Sequence, residues 1–223
     1  MSRLSRRAFL GAAAAPMALA ASSSGARVAG RRSLRFSYQR SSTLLTILKS
    51  NGTLEKSLGA RGYDVSWHLF SSVLAPMNSG AVDFHADVAD AVPIFTQSAG
   101  AKLTLYAREA PSPAAEAIIV HADSQIRSVA DLKGKTVAVS RGSGCHFVLA
   151  AALKRAGLSF QDIKPAYLEA IDGAPAFQAR TIDAWVIWDP FLAITESRLP
   201  VRTIADATGL SGYSRYYLSL IHI

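Results

Sequence analysis

Three hydroxyl residues in a row, Ser41, Ser42 and Thr43, stand where an apolar-alternating strand ending in Tyr38-Gln39-Arg40 gives way to a helical pattern. No acid is among them. A helix start carries unsatisfied amides and a partial positive charge. Asp or Glu would complement that charge, whereas bare hydroxyls keep it open to an anion from outside. Plain N-capping by Ser and Thr accounts for the same residues. Gln39 adds carboxamide donors suited to an oxyanion, and Arg40 reads as solvent-facing.

A second group lies in Arg141-Gly142-Ser143-Gly144-Cys145-His146, between a strand pattern and a helix pattern. Gly142 and Gly144 let backbone amides approach a ligand closely, and Ser143 adds a hydroxyl; a tight strand-to-helix turn would use the same residues. The stretch is not a phosphate loop, because the closing Lys-Ser/Thr is absent. It is not a nucleophile elbow either, since Arg141 stands where that motif needs glycine. Cys145 and His146 are neighbours on a helix and point about 100° apart, so this His is badly placed to activate this thiol. His68, His85 and Asp87 lack the spacing of a zinc site. We therefore expect no catalytic residue, no metal and no cofactor.

Trp185 and Trp188 sit three apart on a probable strand, hence on opposite faces. Trp188, at the carboxyl end beside Asp189, is placed to wall a cleft or to pack beside a hinge, and Trp185 belongs in the core. Asp87 and Asp90 would repel an anionic head group or attract an amine on the ligand. One helix end contributes only about 0.3–1 kcal/mol, up to about 2 when buried. Each hydrogen bond to a charged group adds roughly 1.5–3 kcal/mol. Micromolar binding takes about 8 kcal/mol, so a second wall must close over the ligand.

The elements that would position these groups alternate along the chain. Strand patterns cover Leu34–Gln39, Asp64–Phe70, Val82–His85, Leu103–Ala107, Ala117–His121, Thr136–Ser140, Ala166–Glu169, Ala184–Trp188 and Val201–Ala205. Helical patterns cover Ser42–Ser50, Ser71–Asn78, Val92–Ala99, Cys145–Ala156, Ala174–Arg180 and Pro190–Ser197. Such alternation predicts an α/β fold with parallel sheets. A seam is expected near Glu109–Val120, where "EAPSPAAEAIIV" carries two prolines before a fresh series begins. In open α/β sheets ligands lie beyond the carboxyl ends of strands, here residues 39–43, 87–91, 141–146 and 188–189.

The formal net charge of +8 over 223 residues is mostly an end effect. Arg3, Arg6 and Arg7 precede a short apolar run to Ala21, and no acid occurs before Arg35. No basic stripe is interleaved with aromatics, which argues against nucleic acid. The apolar run falls short of the roughly 20 residues that span a bilayer and contains Gly11 and Pro16. Paired arginines before Phe9-Leu10, with Ala18-Leu19-Ala20 behind, resemble a twin-arginine export signal cleaved near Ala20. Residues 21–33 read as a linker. A single cysteine precludes an internal disulfide.

"YQRSSTLL", "PSPAAEAIIV", "SVADLKGKTVAVSRGSG", "IDAWVIWDPFLA" and "TIADATGL" together resemble the aliphatic sulfonate-binding proteins of ABC transporters, over roughly Leu34 to Tyr217. The resemblance implies a two-lobed, type II-like periplasmic binding protein with its cleft between the lobes. It further implies an alkanesulfonate ligand, a membrane permease and an ATPase as partners, and a monomeric receptor that meets the membrane only through that permease. The expected lobes are 34–118 and 119–217. Residues 218–223 are expected to be a truncated tail, with the C-terminal return to the first lobe missing. Two features depart from the family pattern: that ending, and Asp87-Val88-Ala89-Asp90-Ala91 where relatives carry a Gly-Asp-Thr turn. The expected ligand contacts are Gln39, Ser41, Ser42, Thr43, Asp87, Asp90, Gly142, Ser143, Gly144, Trp188 and Asp189. Alternatives are a binder of taurine, nitrate or a pyrimidine precursor, and a related pyrimidine-synthesis-type enzyme.

Overall fold

A computed structural model describes residues 31–70, 74–89, 91–211 and 213–220. The expected signal segment, residues 1–20, and most of the linker lie outside the described residues. The linker is shorter than expected at its far end. Arg32 and Ser33 already belong to β1 (Arg32–Tyr38), paired with Tyr63 and Asp64.

Two five-stranded sheets carry the fold. The first begins with β1, α1 (Thr43–Asn51), α2 (Thr53–Gly59), β2 (Tyr63–Leu69), α3 (Leu74–Asn78), β3 (Phe84–Ala89), α4 (Ala91–Ser98) and β4 (Leu103–Arg108). The second is built from β5 (Glu116–His121), β6 (Thr136–Val139), α5 (Gly144–Arg155), β7 (Lys164–Tyr167), α6 (Ala170–Gln178), β8 (Ala184–Trp188), α7 (Phe191–Arg198) and β9 (Val201–Asp206). The chain then returns to the first sheet as β10 (Arg215–Leu220). Strand orders are β2-β1-β3-β10-β4 and β7-β6-β8-β5-β9.

The sheets are mixed, which corrects the expectation of parallel ones. β1 lies parallel to β2 and β3, and β6 parallel to β7 and β8. β10 runs antiparallel to β3 and β4, and β5 antiparallel to β8 and β9. The reversed strands are the ones that enter or leave at the crossing between sheets. Helical crossovers enforce parallel pairing within each sheet, and a direct crossing does not.

Both faces of the second sheet are covered, so its central strands read as unbroken apolar runs. On one face Ile118, Val137, Val139 and Val186 pack under Leu149 and Leu153 of α5. On the other, Ile119, Ala138, Trp185 and Ile187 meet Phe177 of α6 and Leu192 of α7. Trp185 is thus a core residue, as its parity with Trp188 demanded. The first sheet has smaller cores, one around Met77, Val82, Val88 and Leu218 and another around Leu45, Ala86 and Tyr217. Arg35 and Asp83 join β1 to the turn before β3 through three hydrogen bonds of 2.6–3.1 Å.

The expected boundaries move at two places. Glu116 to Ile118 belong to the second sheet, in β5, rather than to the end of the first lobe. Residues 215–220 form one strand of the first sheet, inserted between β3 and β4, instead of closing the second lobe and starting a tail. Residues 109–115 cross between the sheets beside the described residues 207–211, 213 and 214, with Glu109 N donating to Arg215 O at 2.8 Å and Ser112 N to Tyr213 O at 3.1 Å.

Candidate functional site

The carboxyl ends of β1, β3, β6 and β8 all point toward this double crossing, and four helices begin there. α1 follows β1 after a turn closed by a reciprocal pair: Ser42 N donates to Gln39 O at 3.0 Å, and Gln39 N donates to Ser42 Oγ at 2.9 Å. That bond decides what the hydroxyl does. Ser42 occupies the N-cap position without capping the helix by its side chain, and no acid stands in the first turn. The start of α1 is therefore left uncapped by its own sequence. Ser41 and Ser42 are buried, Gln39 is half-buried and Thr43 is exposed.

The glycine turn is satisfied largely from within. Gly142 takes φ +74°, open only to glycine at little cost, and its N–H donates to His146 Nδ1 at 3.2 Å. Ser143 caps α5, accepting from His146 N at 3.2 Å and donating to Ser140 O at 2.7 Å. Gly144 is wedged between the lobes. A Cβ there would stand 2.6 Å from Cβ of Ala89 on β3 and 2.9 Å from Oε1 of Glu116 on β5. Close approach of protein, rather than of ligand, is what requires glycine at 144.

Cys145 is fully buried, and its thiol is pushed well up by burial and then by the Glu116 carboxylate. His146 is pulled down by burial and by nearby Arg141, and its Nδ1 already accepts from Gly142. A protonated thiol beside an engaged imidazole is no nucleophile–base pair.

On the far wall, Asp189 Oδ1 accepts from Ala193 N at 3.1 Å and so caps α7. Trp188 is half-buried, edge-on to Phe191 at 5.9 Å, and packs against Val148, Ala207 and Tyr213 beside the crossing. The Asp87 side chain and the whole of Asp90 lie outside the described residues, so the carboxylates expected there acquire no geometry.

The residue that joins the two lobes was not expected. Arg215, the first residue of β10, donates from Nη1 to Thr43 Oγ1 at 3.4 Å and from Nη2 to Asp189 O at 3.2 Å. One guanidinium thus touches the start of α1 and the end of β8. Behind it, Tyr213 is buried at φ +39°, its phenol pushed up by burial and by Glu116 and hydrogen-bonded to Arg215. Glu116 is 1% exposed. Among the described residues around the crossing, then, are the Arg215 guanidinium, the uncapped start of α1, the Trp188 ring and the buried Glu116. Among the described residues no group of three or more His, Cys, Asp or Glu is arranged to hold a metal ion. No described helix is long and apolar enough to cross a membrane.

Residues 70–208 match the family model described as NMT1/THI5 like. The chain belongs to the NMT1/THI5-like family. It is 40% identical over 189 residues to a protein of Escherichia coli (strain K12) whose name describes it as an aliphatic sulfonates-binding protein, covering 83% of this chain and 58% of that one. The solved periplasmic aliphatic sulphonate binding protein SsuA of Escherichia coli superposes with a TM-score of 0.74 at 39% identity, over 86% of this chain and 62% of that one. The alkanesulfonate-binding protein SsuA of Xanthomonas axonopodis pv. citri, solved bound to MOPS, gives 0.75 at 36% identity, over 85% and 66%. The chain thus spans about three-fifths to two-thirds of the length of these relatives. Its two-sheet α/β architecture is that of the periplasmic binding proteins.

Proposed function

We propose that the chain is the ligand-capturing part of an extracytoplasmic solute-binding protein, which takes up a small organic sulfonate between its two sheets and presents it to an ABC permease and its ATPase. The observation that carries this reading is Arg215, which spans from Thr43 at the uncapped start of α1 to the Asp189 carbonyl at the end of β8. The similar proteins named for aliphatic sulfonates supply the head group. In this reading the sulfonate oxygens sit on the α1 amides with Ser41 and Gln39 nearby. Arg215 supplies a formal positive charge, and Trp188 lies along the alkyl chain. Ligand binding favours the arrangement in which both lobes touch it, and that closed form is what a permease recognises. The paired arginines near the N-terminus support export across the inner membrane. The protein is a receptor and not an enzyme, in keeping with the buried, protonated thiol of Cys145.

The test is a thermal-shift panel of ethanesulfonate, longer alkanesulfonates, taurine, sulfate and nitrate at matched ionic strength. Alkanesulfonates raise the melting temperature, and Arg215→Ala weakens their binding about ten- to hundredfold, the loss of one charged hydrogen bond. A shift with taurine alone would bring Asp87 and Asp90 into the site. A folded protein that shifts with none of them rejects the reading.

A further inference from the structure

One cation of the second lobe is held in place and yet makes no ion pair among the described residues. Arg141, which opens the glycine turn after β6, is exposed. Its guanidinium lies over the Tyr167 ring, 4.0 Å from the centroid. Stacking of this kind engages the face of the guanidinium and leaves its edge of N–H donors open. The platform is itself fixed. Tyr167 ends β7 and stands edge-on to His146 at 5.8 Å, while His146 Nδ1 accepts from Gly142 N at 3.2 Å. Glu169, two residues beyond Tyr167, accepts from Ser140 Oγ at 3.3 Å and so ties the ends of β6 and β7 together. Arg141 is thus restrained before a ligand arrives, which lowers the ordering cost of binding.

Its position follows from the register. β6 pairs Ala138 with Trp185 of β8, and three residues further along each chain stand Arg141 and Trp188. β6 lies parallel to both β7 and β8, so Arg141, Tyr167 and Trp188 share one end of the sheet. Neighbouring strands lie about 4.8 Å apart. The turn that Arg141 opens reaches the first lobe within three residues, at Gly144 beside Ala89.

We propose that Arg141, positioned by Tyr167, binds an acidic group at the far end of the ligand, so that the cleft favours alkanesulfonates with a carboxylate on the other terminus. The inference rests on the sulfonate-binding reading above, which puts the head group at the start of α1 and the alkyl chain along Trp188. A chain that runs over this indole from the end of β8 arrives, one strand further out, at the end of β6. A carboxylate there meets the planar fork of a guanidinium, which matches it with two parallel donors. A plain alkyl terminus gains nothing from it.

The experiment compares 3-sulfopropanoate with propane-1-sulfonate by titration calorimetry at neutral pH and matched ionic strength. The wild-type chain, Arg141→Gln, Tyr167→Phe and Tyr167→Leu are measured side by side. The wild type prefers the sulfopropanoate about tenfold or more, the worth of a charged hydrogen bond. Arg141→Gln brings the two affinities level. Tyr167→Leu narrows the preference and Tyr167→Phe, which keeps the ring, retains it; equal ratios in these two variants overturn the role of Tyr167. A merely structural role for Arg141 would weaken both ligands together and leave their ratio unchanged, which overturns the proposal. A wild type that binds both ligands equally overturns it without any variant, should the substitutions fail to fold. Propanesulfonate binding without that preference rejects the role of Arg141 alone, whereas a folded wild type that binds neither ligand rejects the sulfonate reading as well.

Discussion

His85 shows how strongly single groups are constrained in the first lobe. It is completely buried in β3, with Nδ1 2.5 Å from Ser37 Oγ and Nε2 without a partner in the structure. Burial lowers its pKa to about 4. An unfolded His takes up its proton near 6.5, so between roughly pH 6.5 and 4 the unfolded chain binds a proton that the folded chain refuses. The corresponding stability is fully present above that window and is lost as pH falls through it, amounting to about 3 kcal/mol at most. His146, also lowered, adds in the same direction. Urea midpoints measured at pH 7.5 and 4.5 fall accordingly, and His85→Gln flattens most of the difference; equal midpoints in the wild type would contradict the assignment. The residue scale is also where sequence was least informative about the site. Hydroxyls at 41–43 and 143 announced helix starts correctly. Whether a hydroxyl faces a ligand or closes its own turn depends on bonds such as Gln39 N to Ser42 Oγ, which composition does not encode. Arg215 was invisible for a different reason. It lies 172 residues from Thr43 in sequence, and its role comes from the return of the chain rather than from any local motif.

The crossing turns on element starts, and α5 is the most tightly fitted of them. Gly144→Ala places a methyl group 2.6 Å from Cβ of Ala89, which is fixed to the β3 backbone and cannot swing away, and 2.9 Å from Oε1 of Glu116. Overpacking of this kind costs about 1–3 kcal/mol and pushes the start of α5 away from β3, so ligand affinity falls with stability. Gly142→Ala meets no atom within 4 Å and pays only for its φ of +74°, about 1–2 kcal/mol, leaving the lobe contact intact. Denaturant melts of both variants with calorimetric titration distinguish the two: a Gly144→Ala protein that binds like wild type would show that the contact with Ala89 does not govern closure. Elements were far more legible than site residues. Apolar patterning found nine strands within a few residues, most clearly β5, β6 and β8, which are buried on both faces. It missed α2, a seven-residue helix with no buried residue and hence no apolar stripe to read. It also misjudged pairing direction, because alternation reports which face is buried and says nothing about which neighbour a strand adopts.

For the molecule as a whole, β10 has a consequence for time rather than for shape. All strands of the second sheet lie within residues 116–206, one uninterrupted stretch. The first sheet is split, with β1 to β4 made before that stretch and β10, its fourth strand in order, made after it. Until β10 arrives, β3 and β4 have no bridge between them, and Met77, Val82 and Val88 lack the Leu218 and Leu220 side chains that complete their core. Pairings that must wait for so long a loop to close form slowly. In refolding followed by pulsed hydrogen exchange, amides of β5, β6 and β8 gain protection before those of β3 and β4; the reverse order would mean that β1 to β4 are stable without the returning strand. A newly made chain therefore assembles its second lobe first. The arginine that links the lobes is the first residue of this returning strand, so its contacts with Thr43 and Asp189 wait for the second sheet's stretch to be made.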